Sequence, residues 1–304
     1  MKRVLVTGAD GFIGYPCLSI LHDLGYEVHA VTMGHGLDSM PNVNWHSCDL
    51  LNLDAVSDLL QRVKATHLLH LAWFVSKNSE ENLTWASAGI HLLKSFQVNG
   101  GRRAVFAGTC FEYDRNSCLL NEDSTPLGAH TVYGASKHVL HELVKSYTET
   151  VGMSFAWARI FYLYGPRENP LRLVAAVIND ILSGKKAACT EGRQVRDYLH
   201  VSDVASALIA ITDSNIQGAV NVGSGVPVSI RELVHTTAGL LSATNMIDYG
   251  AKPMPVNEPM IIVADRGKIS NELGWEPQFD LETGLLDTIE WWRKTLTDKK
   301  ETGL

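Results

Sequence analysis

A phenol and an ammonium group stand four residues apart in the sequence, at Tyr133 and Lys137. On a helix this spacing places both side chains on one face. A neighbouring lysine cation favours the phenolate, so it would lower the pKa of the tyrosine toward the range of acid/base chemistry. The same spacing also occurs on ordinary surface helices, so the pair needs a second signal.

That signal is the strand-like segment 103–109, which ends in a hydroxyl at Thr109. In a parallel α/β sheet, ligands bind beyond the carboxyl ends of the strands. We therefore expect Thr109 to face one crevice with Tyr133 and Lys137. A hydroxyl donor beside a phenol acid is the arrangement that a carbonyl needs when it accepts hydride.

A glycine-rich loop follows the first strand-like segment. Gly8 permits a tight turn, Gly11 lets the backbone approach a pyrophosphate, and Gly14 allows a helix to pack closely on the sheet. The N-terminus of that helix attracts negative charge. Because a strand precedes the loop and a helix follows it, the pattern favours dinucleotide binding over an ordinary glycine turn.

The end of the second strand bears on the choice between NAD and NADP. An acid there would bind the ribose 2′-hydroxyl and repel a 2′-phosphate, and segment 30–36 contains none. This favours NADP(H) over NAD(H). The only nearby cation candidate is His35, which suits a solvated loop equally well.

Strand-like and helix-like segments alternate through the first half of the chain. The predicted strands are Val4–Thr7, Val28–Thr32, Val43–His46, Leu68–Leu71, Ala104–Ala107 and Phe155–Ile160, and the predicted helices are Phe12–Leu24, Leu53–Val63, Asn82–Val98 and Val132–Thr148. In the last helix an apolar residue recurs every three or four positions, so one face is apolar. The alternation predicts an α/β fold with a Rossmann-type, doubly wound parallel sheet.

After residue 165 the rhythm loosens into short strands, helices and proline-bearing turns. We expect a dinucleotide-binding domain over 1–165 and a smaller, mixed α/β substrate lobe over 166–304. Some segments of the second part could return to the first domain.

Composition excludes several classes of protein. The 304 residues carry a net charge of −7 without a basic patch, which argues against nucleic-acid binding. No stretch approaches the roughly 20 apolar residues of a membrane span. The five cysteines are odd in number and form no C-x-x-C pair, so we expect a cytoplasmic protein without a disulfide framework.

Taken together, the motifs resemble those of the extended short-chain dehydrogenase/reductases that modify nucleotide sugars, the NAD-dependent epimerase/dehydratase family. The matching segments are Thr7–Gly14, Asp49-Leu50, His70–Ala72, the set Thr109, Tyr133 and Lys137, Arg159–Pro166, Gly192–Ala205, Asn221–Gly225 and Leu273–Pro277. The likeness covers nearly the whole chain. The segment 108–113 is most similar to members that reduce NDP-4-keto-6-deoxyhexoses.

The resemblance implies roles for individual residues. Tyr133 would be the general acid/base, Lys137 would hold the nicotinamide ribose, and Thr109 would bind the reacting sugar oxygen. The implied cofactor contacts are Gly8, Asp10, Gly11, Phe12, Ile13, Gly14, Asp49, Leu50, Leu71, Ala72, Tyr133 and Lys137.

The substrate residues implied by the resemblance are Thr109, Cys110, Tyr162 and Arg196. Arg196 would pair with the substrate diphosphate, a role that suits a planar bidentate donor, or form a surface salt bridge with Asp197. Tyr162 replaces the family's asparagine, so the nucleotide is left open. Cys110 is either a second acid/base or a small apolar residue below the crevice.

Two other sites are disfavoured. In the family's 4,6-dehydratases an Asp-Glu pair follows the threonine, but here Cys110 and Phe111 follow it, and Glu112 is offset and reads as structural. His138, His141 and Glu142 run in the order H-x-x-H-E, which matches neither H-E-x-x-H nor H-x-x-E-H, so no metal site is expected.

The resulting hypothesis is an enzyme that reduces a nucleotide-linked 4-keto-6-deoxyhexose with NAD(P)H. One alternative is a nucleotide-sugar 4-epimerase with retained NAD, and another is a non-catalytic NAD(P) sensor. By resemblance we expect a homodimer formed through helices 82–98 and 132–148, unless their apolar residues are all used to cover the sheet.

Overall fold

The computed structural model describes residues 2–34, 40–74, 76–114, 116–255 and 258–302. Its strands are β1 Arg3–Thr7, β2 Glu27–Thr32, β3 Val43–Ser47, β4 His67–His70, β5 Arg103–Thr109, β6 Leu119–Leu120, β7 Ser154–Ile160, β8 Tyr162–Tyr164, β9 Ala187–Cys189, β10 Val195–His200, β11 Gly218–Val222, β12 Pro227–Ser229, β13 Ile247–Tyr249 and β14 Ile261–Ala264. Its helices are α1 Gly14–Asp23, α2 Leu53–Val63, α3 Glu81–Val98, α4 Val132–Val151, α5 Leu173–Leu182, α6 Val201–Thr212, α7 Ile230–Leu240, α8 Gly267–Leu273 and α9 Leu281–Thr302.

A parallel sheet of seven strands forms the larger layer, in the order β11-β7-β5-β4-β1-β2-β3. The order reverses on either side of β1, which makes the sheet doubly wound. The predicted Rossmann-type α/β fold is therefore confirmed. The reversal also opens a crevice beyond the carboxyl ends of β1 and its neighbours.

The two faces of this sheet are covered by different helices. Along β1, Val4 and Val6 contribute to one hydrophobic cluster and Leu5 to the other, because successive strand residues point to opposite faces. The first cluster includes apolar residues of α1 and α6. The second includes those of α2, α3 and α4.

The later part of the chain builds a smaller mixed sheet, β12-β10-β14-β6, with β8 paired to β10. Helices α5, α7 and α9 pack together beside it around apolar residues that include Leu233 and Leu285. One later strand, β11, lies instead at the edge of the large sheet, next to β7. The domain division at residue 165 stays a prediction.

Helix α4 is present as expected, but its apolar stripe does not face the sheet. The buried face carries Lys137, Leu140 and Val144, whereas Val139 and Leu143 are about half exposed. The buried side of α4 therefore mixes apolar residues with polar ones such as Lys137. Part of the predicted apolar stripe lies on the outside of the helix.

None of the helices in the described residues is long and apolar enough to cross a membrane.

Candidate active site

The predicted trio does converge at one end of the large sheet. Thr109 is the last residue of β5, and Tyr133 lies in the first turn of α4. The Thr131 side chain caps α4 by accepting the Gly134 N–H at 3.0 Å. The Tyr133 main-chain N–H donates to the carbonyl of Lys77 at 3.0 Å, which ties the loop after β4 to the helix.

The phenol of Tyr133 lies in an aromatic setting. Its ring is 6.4 Å from that of Trp73 and 6.3 Å from that of Phe111, both in edge-on contact. Burial raises the pKa of Tyr133, and a hydrogen-bonding interaction with Thr109 works in the opposite direction. Burial dominates, so the pKa of this phenol lies above its usual range, and the lowering of that pKa by Lys137 stays a prediction.

Lys137 points toward the sheet. Its Nζ donates to the Ala107 carbonyl at 2.7 Å and lies 3.8 Å from the ring centroid of Trp73, a cation–π contact. Burial lowers the pKa of Lys137 to about 7, while the negative charge of Glu112 raises it. This ammonium is therefore poised to lose its proton near neutral pH.

Two positions of the glycine loop leave no room for a Cβ. Gly8 has φ +66°, and a Cβ there would lie 2.9 Å from the main-chain nitrogen of Ala72. At Gly14 a Cβ would lie 2.1 Å from the Gly8 carbonyl oxygen. The Leu71 and Ala72 N–H groups donate to Thr7, at 3.2 and 3.3 Å. A dinucleotide pyrophosphate fits such a cradle at the start of α1.

The other predicted cofactor residues surround this loop. Gly11 and Asp10 are exposed, and Phe12 and Ile13 are half-buried. Beyond β3, Asp49 is exposed and Leu50 is buried.

Asp10 has a partner that the sequence pattern did not reveal. The Thr32 hydroxyl, at the end of β2, donates to the Asp10 carboxylate and accepts the Gly34 N–H at 3.0 Å. A carboxylate therefore does stand at the end of the second strand, supplied by the glycine loop. His35 lies outside the described residues.

A cavity of about 120 Å³ lies next to Cys110 and Phe111, the two residues after Thr109. It is lined by Lys77, Cys110, Phe111, Tyr113, Asp114, Ser117, Leu120, Tyr162, Pro255, Glu258, Pro259 and Ile262. Two predicted substrate residues, Cys110 and Tyr162, thus share one wall. Burial raises the pKa of the Cys110 thiol to about 12, so it remains protonated and suits the apolar role better than the acid/base role.

Arg196 is buried rather than on the surface. Its guanidinium contacts the Glu258 carboxylate at 2.9 Å and lies 5.4 Å from the Tyr162 ring centroid. The alternative prediction named Asp197, but that carboxylate accepts the N–H groups of Ser224 and Gly225 at 2.6 and 2.8 Å. No sequence signal pointed to Glu258.

Glu112 lies with His138 and His141 in a cluster whose candidate ligand atoms are within 4.8 Å of one another. Its two carboxylate oxygens already accept N–H groups from Trp157 and Arg159, at 2.9 to 3.1 Å. A metal ion would have to displace these donors and lie beside a guanidinium. The cluster is therefore better described as a buried Glu112 carboxylate paired with Arg159 than as a metal centre.

Other residues at the site were missed by the sequence reading. Trp73 and Lys77 follow the matched His70–Ala72 segment, and they contact Lys137 and Phe111 respectively. An aromatic residue directly after a cofactor-lining segment was the available signal for Trp73.

A Rossmann-type sheet with a glycine cradle and a Thr-Tyr-Lys trio at its carboxyl edge defines a dinucleotide-binding protein of the extended short-chain dehydrogenase/reductase class. The family model described as "NAD dependent epimerase/dehydratase family" matches residues 4–223. The chain belongs to this family.

Three relatives illustrate its range. UDP-glucuronic acid decarboxylase 1 of Danio rerio is 28% identical, over 97% of this chain and 73% of its own length. CDP-abequose synthase of Salmonella typhimurium is 27% identical, over 95% of this chain and 98% of its own. The structure of Thermus thermophilus UDP-glucose 4-epimerase with NAD is 26% identical, with a TM-score of 0.85 over 96% of this chain and 99% of the other.

Proposed function

We propose that this protein reduces a nucleotide-linked 4-keto-6-deoxyhexose, with Tyr133 as the proton donor. The observation that carries the proposal is the state of the groups around Thr109. The half-buried Tyr133 phenol has a raised pKa and keeps its proton, and Cys110 and Phe111 cannot act as the acid/base pair that elimination of water requires. This set favours giving one proton to a carbonyl oxygen.

The reduction would use the chain's own residues as follows. Thr109 would bind the keto oxygen and Tyr133 would protonate it as negative charge develops. Lys137 would turn from the Ala107 carbonyl to the ribose hydroxyls, and its positive charge would stabilise the phenolate that Tyr133 becomes. The bound dinucleotide would supply the hydride.

The substrate would lie between the sheet edge and the small lobe. Phe111, Tyr162 and Cys110 give the cavity an apolar wall beside Thr109, which suits a deoxygenated sugar carbon better than a hydroxymethyl group. Arg196 would take the diphosphate, which would compete with Glu258 for the guanidinium. The names of the curated relatives, with their UDP- and CDP-linked sugars, support a nucleotide-sugar substrate.

The cofactor is a nicotinamide dinucleotide under this proposal. The preference for NADP rested on the missing acid in segment 30–36, but Asp10 supplies a carboxylate beside Thr32. The position of this carboxylate favours NAD. The similar Thermus thermophilus UDP-glucose 4-epimerase structure is a complex with NAD, which supports the same choice. NADP is the second candidate because no acid belongs to the strand end itself.

We propose further that the protein is a homodimer in the cytoplasm. Leu83 and Ile90 of α3 and Val139 and Leu143 of α4 are 41–63% exposed, so these residues are not used up in covering the sheet. A second copy presenting the same two helices would cover them. All five cysteines are free, which supports a reducing compartment.

The second candidate function is a nucleotide-sugar 4-epimerase, which the likeness to the Thermus thermophilus epimerase favours. The two reactions differ in stoichiometry. Purified protein would be assayed for bound nicotinamide and then mixed with dTDP-, CDP-, GDP- and UDP-linked 4-keto-6-deoxyhexoses and NADH or NADPH.

A reductase consumes one reduced cofactor for each sugar converted. An epimerase, given UDP-glucose or another parent nucleotide sugar, would interconvert it with no net change in nicotinamide absorbance. Tight dinucleotide binding without turnover of any nucleotide sugar would instead revive the sensor alternative and contradict both enzymatic proposals.

A further inference from the structure

Glu112 is a fully buried carboxylate that bonds to Thr109 and whose charge acts on both Tyr133 and Lys137. It ends the short 3-10 helix Cys110–Glu112 that follows β5. The carboxylate accepts the main-chain N–H of Thr109 at 2.8 Å, the indole N–H of Trp157 at 2.9 Å and the Nε–H of Arg159 at 3.1 Å. Both oxygens therefore have donors.

The first contact fixes Thr109. The Thr109 side chain accepts the Phe111 N–H at 3.3 Å while Glu112 accepts the Thr109 N–H, a reciprocal capping box. These two bonds hold Thr109 in an extended conformation, with φ −152° and ψ 148°. They thereby set the direction of the hydroxyl that meets Tyr133.

The surroundings leave room for this carboxylate and little else. A Cβ at Gly108 would lie 2.7 Å from Glu112 Oε1 and 2.1 Å from the indole nitrogen of Trp157. The strand therefore needs glycine at this position for the Glu112 side chain to lie against it. Such close packing holds the Glu112 carboxylate in one position.

The second effect is electrostatic. Lys137 is deeply buried, and its nearest contacts, the Ala107 carbonyl and the Trp73 ring, are neutral. Burial disfavours the ammonium, and the charge of Glu112 works against that loss. Arg159 neutralises part of the same charge, as do the partial positive charges of the indole and backbone N–H groups.

We propose that Glu112 is a positioning residue for the reaction, which fixes the Thr109 hydroxyl and supplies the buried negative charge that stabilises the Lys137 ammonium. This inference rests on the proposed function, and it deepens that function by assigning a role to a residue that acts through Thr109 and Lys137.

Two groups, Lys137 and Tyr133, set the direction in which the pH dependence of kcat should shift. The charge of Glu112 raises the pKa of both Lys137 and Tyr133. Reduction requires the ammonium of the first and the protonated phenol of the second. Glu112→Gln should therefore move the alkaline limb of kcat to lower pH, by about one unit, because both groups lose their protons earlier. Arg159, His138 and His141 lie beside Glu112, and the Glu112→Gln substitution leaves each of these side chains in place.

Two further variants separate position from charge. Glu112→Asp keeps the charge but withdraws the carboxylate from the Thr109 N–H, so kcat should fall about tenfold with the alkaline limb unmoved. Glu122→Gln removes a half-buried carboxylate that accepts the Asn221 N–H, and should leave the limb in place. Far-UV circular dichroism and thermal melting establish that each variant folds.

A readout without substrate keeps this test independent of the proposed function. The titration of Lys137 would be followed by NMR on protein with isotope-labelled lysines, its signal being identified by its loss in Lys137→Arg. We expect titration near pH 7 in the parent protein and at lower pH in Glu112→Gln. Parent-like titration in that variant would overturn the charge role, and parent-like kcat in Glu112→Asp would overturn the positioning role.

If Glu112→Gln does not fold, the Asp variant alone decides: parent-like kcat overturns the proposal, and reduced kcat with unchanged KM supports it. A failure of the proposed function would show instead as a parent protein that turns over no nucleotide sugar.

Discussion

At the scale of single residues, burial sets the protonation of the groups that would carry the reaction. It raises the pKa of Tyr133 above its usual range and lowers that of Lys137 to about 7. A protonated phenol and a marginal ammonium suit a site that gives a proton to a carbonyl. The buried carboxylate of Glu112 is the charge that opposes the effect of burial on Lys137.

Removal of the Tyr133 hydroxyl should abolish proton transfer while leaving the cofactor cradle intact. We expect Tyr133→Phe to lower kcat by about 100-fold or more, since general acid catalysis is worth this much. Binding of NADH, followed by its fluorescence, should change little. The matched control is Tyr147→Phe on the same helix, whose phenol lies 3.4 Å from Gln97 and away from the trio. Comparable kcat values for Tyr133→Phe and the parent would remove the assigned role.

Cofactor choice is a second property of single residues. If Asp10 repels a 2′-phosphate, the parent should bind NADH more tightly than NADPH, and Asp10→Asn should reduce this preference by roughly five- to tenfold. Fluorescence titration with both reduced dinucleotides measures the ratio, and Asp23→Asn at the end of α1 serves as the control. A parent that prefers NADPH would instead support the preference that the acid-free strand end suggested.

At the scale of elements, the sequence predicted most of the large sheet and all four of its early helices. Hydrophobic runs such as Val4–Thr7 and the 3.6-residue period of 132–148 are local signals, so they could be recognised without a structure. The orientation of α4 could not, because it depends on the polar groups beneath the helix. Partners far apart in the chain, such as Asp10 with Thr32 or Arg196 with Glu258, were equally invisible to spacing.

The glycine cradle offers a test of how an element shapes the site. Gly14→Ala places a methyl group 2.1 Å from the Gly8 carbonyl oxygen, so the loop and α1 must separate. We expect loss of measurable NADH binding and a destabilisation of about 1–3 kcal/mol. Titration with NADH and denaturant unfolding measure the two effects.

The control for that substitution is Gly239→Ala within α7, where a Cβ would meet nothing within 4 Å. This variant should bind NADH normally and gain up to about 1 kcal/mol from helix propensity. Normal NADH binding by Gly14→Ala would show that the loop does not hold the dinucleotide as proposed.

At the scale of the whole molecule, the net charge of −7 has to be compatible with the two anionic ligands of the proposed function. Backbone N–H groups at the start of α1 and the single cations Lys137 and Arg196 would meet the anions locally, so no basic surface is required.

The exposed stripe on α4 makes self-association testable. Leu143 is 51% exposed and belongs to the apolar surface of α3 and α4. Leu286 of α9 is 40% exposed and lies outside that surface, so it serves as the control. Leu143→Lys should convert a dimer into a monomer in sedimentation velocity, because it would bury a lysine charge at the interface. Leu286→Lys should remain dimeric, and a monomeric parent protein would rule the interface out.

Transfer of hydride from a bound dinucleotide to the keto carbon of a nucleotide sugar is tested most directly by following that hydride. The protein would turn over the nucleotide-linked 4-keto-6-deoxyhexose found by screening, with NADH or NADPH deuterated at the transferable position, and the product would be examined by NMR. We expect one deuterium at carbon 4 of the hexose for each dinucleotide oxidised. A converted sugar with no deuterium at that carbon, and no oxidation of the added dinucleotide, would contradict this expectation.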